Sequence, residues 1–201
     1  MVMMNPRDPT ALYCLDLETN KVVEHWSMGG RVVNNLSPRR KFAQTTDERV
    51  FVGTSSKAFF SIDPRMGGRG NSTVVDVQDY STDNKFTCAA TTETGALAVG
   101  SQKGDVRLYS ECIGKRAKSA LSPLGEPILG VDVSSNGRYA VATCKTYLLF
   151  YDMEIKVGRN MGRTGFEISF PSTAKAIPKF IRLKPEHEAY LNHQISFSMA
   201  R

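Results

Sequence analysis

Phe86-Thr87-Cys88-Ala89-Ala90-Thr91-Thr92, a turn at Gly95, Leu97-Ala98-Val99-Gly100-Ser101, a second turn at Gln102-Lys103-Gly104 and the run Asp105-Val106-Arg107-Leu108-Tyr109-Ser110 make up the segment on which the fold turns. Three short apolar runs lie between tight polar turns, the pattern of an antiparallel strand meander. The runs are largely apolar and the turns polar, as expected where both faces of the sheet are covered. The small residues Ala89-Ala90 and Ala96 to Gly100 suit strands crowded together near an axis.

The same order recurs on either side. Upstream come Phe42-Ala43-Gln44-Thr45-Thr46, Val50-Phe51-Val52-Gly53-Thr54 and Ala58-Phe59-Phe60-Ser61-Ile62-Asp63; downstream come Ile128 to Val133, Arg138 to Thr143 and Lys145 to Asp152. Phe42, Phe86 and Leu129 open equivalent strands, 44 and 43 residues apart. Such a period, holding three or four short strands, predicts a β-propeller, in which each blade is wedged between like neighbours. Val74 to Val77, Ala117 to Leu121 and Glu167 to Phe170 are the candidate outer strands.

This divides the chain into a disordered tail over 1–10 and a partial propeller over 11–201. The propeller comprises an opening hairpin over 11–28, repeats over 41–80, 85–122 and 127–171, and a partial blade over 179–198, in which Pro185-Glu186-His187-Glu188 could form one helical turn, although a turn between strands keeps the repeat intact. The expected fold is all-β: an incomplete arc of about four blades from a larger ring, since propellers close with roughly four to eight. The remainder would come from a longer parent chain or another chain. The alternative is a composite blade in which the hairpin and the trailing strands join.

Composition excludes several function classes. The 201 residues are 41% hydrophobic, enough for a core, with a net charge of +6. No run approaches the roughly 20 apolar residues of a membrane-spanning helix. Cys14, Cys88, Cys112 and Cys144 form no CxxC pair, which fits free thiols in a reducing, cytoplasmic setting. Glu186, His187, Glu188 and His193 match no HExxH pattern, there is no G-x-S-x-G, and the glycine-rich stretches Met66–Gly70 and Gly158–Gly165 match no phosphate loop. The expectation is no enzyme, no catalytic residue, no metal and no cofactor.

Two basic clusters, Arg39-Arg40-Lys41 and Lys115-Arg116-Ala117-Lys118, fall in loops that a propeller gathers at its rims. They are the candidate interaction patch. Ser37, before Pro38, is a candidate phosphorylation site beside it. Gly104 and Asp105 read as a structural turn, with Gly104 supplying the conformation and Asp105 accepting backbone N–H bonds.

Gly100 to Ser110 resembles the end of a WD-repeat blade, departing from the usual aromatic–Asp close at Ser110; Ile62-Asp63 and Phe150-Tyr151-Asp152 keep that Asp. A closer resemblance is to the carboxy-terminal propeller region of the vacuolar import and degradation (Vid27-like) family. It is carried by Lys41-Phe42-Ala43-Gln44, Ile62-Asp63-Pro64-Arg65, Lys103 to Leu108, Leu124 to Ile128, Thr143 to Leu149 and Pro185-Glu186-His187. The resemblance implies a cytoplasmic, WD40-like β-propeller without known catalysis: a protein-interaction scaffold whose partners are other proteins, linked to vacuolar import and degradation of cytosolic proteins. Family members also carry a long amino-terminal region and more propeller. The alternative function is electrostatic binding of phosphoinositide or nucleic acid through the basic patch.

Overall fold

The computed structural model describes residues 1–66, 73–191, 193 and 195–198. Part of the glycine-rich stretch at Met66–Gly70, from residue 67 on, lies outside the described residues, as do 192 and 194 of the expected partial blade. The chain forms four antiparallel sheets in sequence order, each a simple meander. Blade 1 has three strands, β1 (Val2–Asn5), β2 (Asp8–Asp16) and β3 (Lys21–Ser27). Blade 2 has β4 (Asn35–Pro38), β5 (Phe51–Thr54), β6 (Ala58–Ile62) and β7 (Val74–Asp79). Blade 3 has β8 (Phe86–Thr91), β9 (Leu97–Ser101), β10 (Val106–Tyr109) and β11 (Ser119–Leu121). Blade 4 has β12 (Gly130–Val133), β13 (Tyr139–Thr143), β14 (Leu148–Asp152) and β15 (Lys179–Ile181). None of the sheets closes on itself. The architecture is an incomplete propeller arc.

Three apolar layers lie between successive blades. Leu12, Trp26, Met28, Phe60 and Ile62 fill the first. Phe59, Phe86, Leu97 and Tyr109 fill the second, where Phe59 stacks on Phe86 at 4.7 Å between centroids and meets Tyr109 edge-on at 5.1 Å. Leu108, Ile128, Ala142, Leu149 and Tyr151 fill the third. Each large side chain buried in this way contributes about 1.5–3 kcal/mol, so the layers between the sheets hold the arc together. Near the axis, hydroxyls stitch neighbouring inner strands: Ser37 Oγ donates to Ala89 O at 2.8 Å, Thr91 Oγ1 to Pro38 O at 2.8 Å, and Thr87 Oγ1 to Ile128 O at 2.6 Å. Gly100 is required by close approach, because a Cβ there would lie 2.5 Å from Ile128 and 2.7 Å from Cys88 Sγ.

The structure differs from the sequence reading in four places. Residues 1–10, expected as a disordered tail, supply β1 and the start of β2. Phe42 does not open the first repeat. It has φ 65°, leads into a 3₁₀ turn at Ala43–Thr45, and is followed by Thr45 and Thr46, whose hydroxyls bond back to the Phe42 and Ala43 carbonyls. Such local bonds compete with a strand ladder. The inner strand is Asn35–Pro38, and the true spacings from Asn35 to Phe86 to Gly130 are 51 and 44 residues. Glu167 to Phe170 is no outer strand; Glu167 instead receives the Thr164 N–H at 2.9 Å, and β15 pairs with β14 through Leu148 opposite Ile181. The trailing partial blade over 179–198 is therefore blade 4's own fourth strand, followed by a short helix, α1 (Pro185–Glu188). Pro185 at its first turn favours the helix over a strand–turn–strand.

Candidate functional site

Arg39, Arg40, Lys115, Arg116 and Lys118 are exposed and Lys41 is half-buried, and they do not act as one free cluster. Arg39 and Arg40 lie on the loop between β4 and β5. Arg40 Nε sits 3.7 Å from Glu48 Oε2. Lys41 is bound on all sides: its N–H donates to Thr92 O in blade 3 at 3.0 Å, and its ammonium donates to Asp132 Oδ1 at 2.7 Å and to Val133 O in blade 4. It thus braces the inner strands of three blades. Lys115, Arg116 and Lys118 lie on the loop between β10 and β11. Cys112, earlier on that loop, donates its thiol to Arg39 O at 3.2 Å and Gly95 O at 3.0 Å, which draws the two basic loops toward each other. The groove between them, about 450 Å³, has Arg39 and Arg40 on one wall and Asp76 and Glu111 among its other lining residues. Its lining is of mixed sign.

Ser37 is 7% exposed, with its hydroxyl given to Ala89, so the expected phosphorylation site is closed in this fold. Gly104 takes φ 87° in the turn between β9 and β10, and a Cβ there would come within 2.6 Å of Glu126 O. The Asp105 carboxylate accepts from the Ser101 hydroxyl and from Arg107 Nε at 2.7 Å, side-chain partners in place of the expected backbone N–H groups.

At the axis, β1, β4, β8 and β12 border a concavity of about 610 Å³. Its lining offers thioethers, amides, a hydroxyl and the Cys88 thiol, which burial pushes up to about 11. Burial likewise holds Cys144 up at about 11 and Cys112 at about 12, so these thiols stay protonated near neutral pH. His25 packs against Tyr13, 5.0 Å between rings, while His187 lies in α1. Among the described residues no three His, Cys, Asp or Glu side chains group to hold a metal ion.

The surface that the sequence reading missed is the outer face of blade 4. Tyr139 and Phe150 stack there at 5.5 Å, with the Arg138 guanidinium 5.3 Å from the Tyr139 ring centre, beside a groove of about 520 Å³ that runs to Ile177 and Lys179. On the neighbouring strand the exposed Ile181, opposite Leu148, shares this face, whereas Phe180, opposite Leu149, lies on the other face against Tyr147. The alternation of Tyr139 and Val141 with the buried Ala140 and Ala142 was visible in sequence, but a strand covered on both faces was expected there.

The comparisons fit this geometry. The sequence model of the family described as "VID27 C-terminal WD40-like domain" matches residues 1–201. The Schizosaccharomyces pombe "Vacuolar import and degradation protein 27" is 44% identical over 189 residues, covering 93% of this chain and 23% of that protein. The Saccharomyces cerevisiae protein of the same name is 38% identical over 204 residues, covering 100% of this chain and 26% of the relative. The chain thus spans about a quarter of the length of these curated relatives. With its fan of four meandering sheets and a match along its full length, the chain belongs to the VID27 family, at the carboxy-terminal WD40-like domain.

Proposed function

We propose that this chain is part of a non-catalytic, cytoplasmic scaffold that binds other proteins and serves vacuolar import and degradation of cytosolic proteins. The observation that carries the reading is the uncovered face of blade 4, where the stacked Tyr139–Phe150 pair and the exposed Ile181 lie on a sheet whose counterpart in blade 3 is buried on both faces. Such a face calls for a further blade, so the arc belongs to a larger ring built with polypeptide beyond these residues. The axial concavity supports the non-catalytic part, because Cys88, the one ionisable side chain in its lining, is held protonated. The relatives' printed name supports the vacuolar link.

The test is affinity capture with the full-length protein beside a form that lacks this arc. The scaffold reading expects a reproducible set of captured cytosolic proteins that is lost with the arc, and slower vacuolar loss of those proteins in cells. An unchanged set after deletion would reject it. The electrostatic alternative has less support, since Lys41 is committed to Asp132 and carboxylates line the Arg39–Arg40 groove. Binding to anionic vesicles that falls steeply with salt and vanishes in an R39E/R40E/K115E variant would restore it.

A further inference from the structure

Blade 1 has one strand fewer than the others, and its hydrogen bonds say which. On the way from blade 3 into blade 4, Ile128 N–H donates to Ser101 O at the end of the second strand β9 (3.1 Å), and Leu129 N–H donates to Thr143 O at the end of β13 (2.7 Å). Residues 28–34, leading from blade 1 into blade 2, make the same two kinds of bond. Asn34 N–H reaches Thr54 O at the end of β5 (2.7 Å), and Val33 N–H reaches Pro9 O (2.8 Å). Pro9 lies just past the turn between β1 and β2. That turn therefore holds the position taken in blade 3 by the turn between second and third strands.

The ends of the third strands agree. Asp63 and Asp152 each accept the N–H of the residue two further on, Arg65 at 3.1 Å and Glu154 at 3.2 Å. Asp16, at the end of β2, does the same with Glu18 at 3.0 Å. By both criteria β2 is a third strand, β3 a fourth and β1 a second. The strand this blade lacks is its innermost one.

The edge left open is well defined. Met1 and Leu15 bond each other in both directions, at 2.6 and 2.7 Å, and the register pairs Val2 with Cys14, Met3 with Tyr13 and Met4 with Leu12. Bonded and non-bonded pairs alternate in an antiparallel ladder, so Met3 faces β2 while Val2 and Met4 turn their N–H groups away from it. On that side β1 borders the axial concavity of about 610 Å³, beside the inner strands of the other three blades. An unpaired edge next to such a space is a template for strand addition.

We propose that this edge receives an extended segment of the longer polypeptide typical of the family, antiparallel to β1, as the innermost strand of blade 1. The proposal rests on the larger-ring reading above. The segment's chemistry follows from the inner strands present: among the fourteen residues of β4, β8 and β12 a single one, Asp132, is charged, and most are small. The occupant is thus a short, uncharged strand of mainly small residues. The relatives, about four times as long as this chain, have polypeptide to supply it, which favours such a segment over a second copy of the chain.

The test joins to Met1 the roughly ten residues that precede the matched region in the Schizosaccharomyces pombe relative, enough for one strand and a turn. Amide exchange is then followed residue by residue by NMR in the extended and original chains. The proposal expects exchange at Val2 and Met4 to slow by about tenfold or more, with Met3 little changed. Unchanged exchange at Val2 and Met4, or new protection on β3, would overturn it. Solvent exposure of Tyr139 and Phe150 in the full-length protein tests the larger ring separately. If they are covered there while Val2 and Met4 stay unprotected, the strand proposal fails and the ring stands.

Discussion

Blades 3 and 4 are the same object in different surroundings. Both are four-stranded meanders with short inner turns, but β8 and β9 are buried at all but one position, whereas β13 and β14 largely alternate between buried and partly exposed positions. The buried side of blade 4, with Ala140, Ala142, Leu149 and Tyr151, faces blade 3; the other side, with Tyr139, Val141 and Phe150, has no blade against it among the described residues. Burial in this molecule is set by the neighbour and not by the strand. A blade is dry on a given face only where another blade covers it.

The comparison breaks most readily at matched aromatic positions. Phe59→Ala, in the layer between blades 2 and 3, is expected to cost about 3–5 kcal/mol in chemical denaturation, as for other buried aromatic truncations. Phe150→Ala, on the open face, should cost less than about 1 kcal/mol. Equal losses would show that the open face is buried in solution. A smaller effect is expected at Gly104, where a side chain meets both the left-handed backbone and the Glu126 carbonyl: Gly104→Val should lower stability by about 1–3 kcal/mol. An unchanged melting temperature would mean that the turn lies elsewhere.

The smallest effect is one of pH. Burial raises Cys88 and Cys144 to about 11 and Cys112 to about 12, from an ordinary value of 9.0. As pH rises past that ordinary value the unfolded chain loses these protons before the folded one does. The stabilisation is therefore complete below pH 9.0 and is lost progressively as pH climbs through the folded values. Melting curves should hold steady to about pH 8.5 and then fall, and the fall should be shallower in a C88A/C112A/C144A variant. An identical fall in that variant would show that the three thiols are not the groups responsible.

The sequence made the repeat readable because consecutive blades reuse one pattern: apolar run, tight turn, apolar run. Blade 3, with two neighbours and small inner residues, was read almost strand for strand. The failures fall where a local bond or a missing neighbour overrides the pattern. Phe42 to Thr46 looked like a strand by hydrophobicity, yet two threonine hydroxyls and a left-handed residue make it a turn. β1 was missed because it contributes only four residues and its pairing partner lies beyond a sharp turn. The basic residues were legible as types, but their partners were not: Asp132, 91 positions away, reaches Lys41 only through the curvature of the arc. The alternation of Tyr139 and Val141 with Ala140 and Ala142 was legible, but not that this face of blade 4 is open, since exposure there depends on what lies beside it.

The central claim, that neighbours and not strands confer burial, is tested most directly by hydrogen exchange along this chain. Amides of β8 and β9, inside the arc, should exchange slowest, and those of β3 and β15, at its free edges, fastest. Uniform protection across all four sheets would contradict the account, because it would require end blades covered as fully as the middle ones.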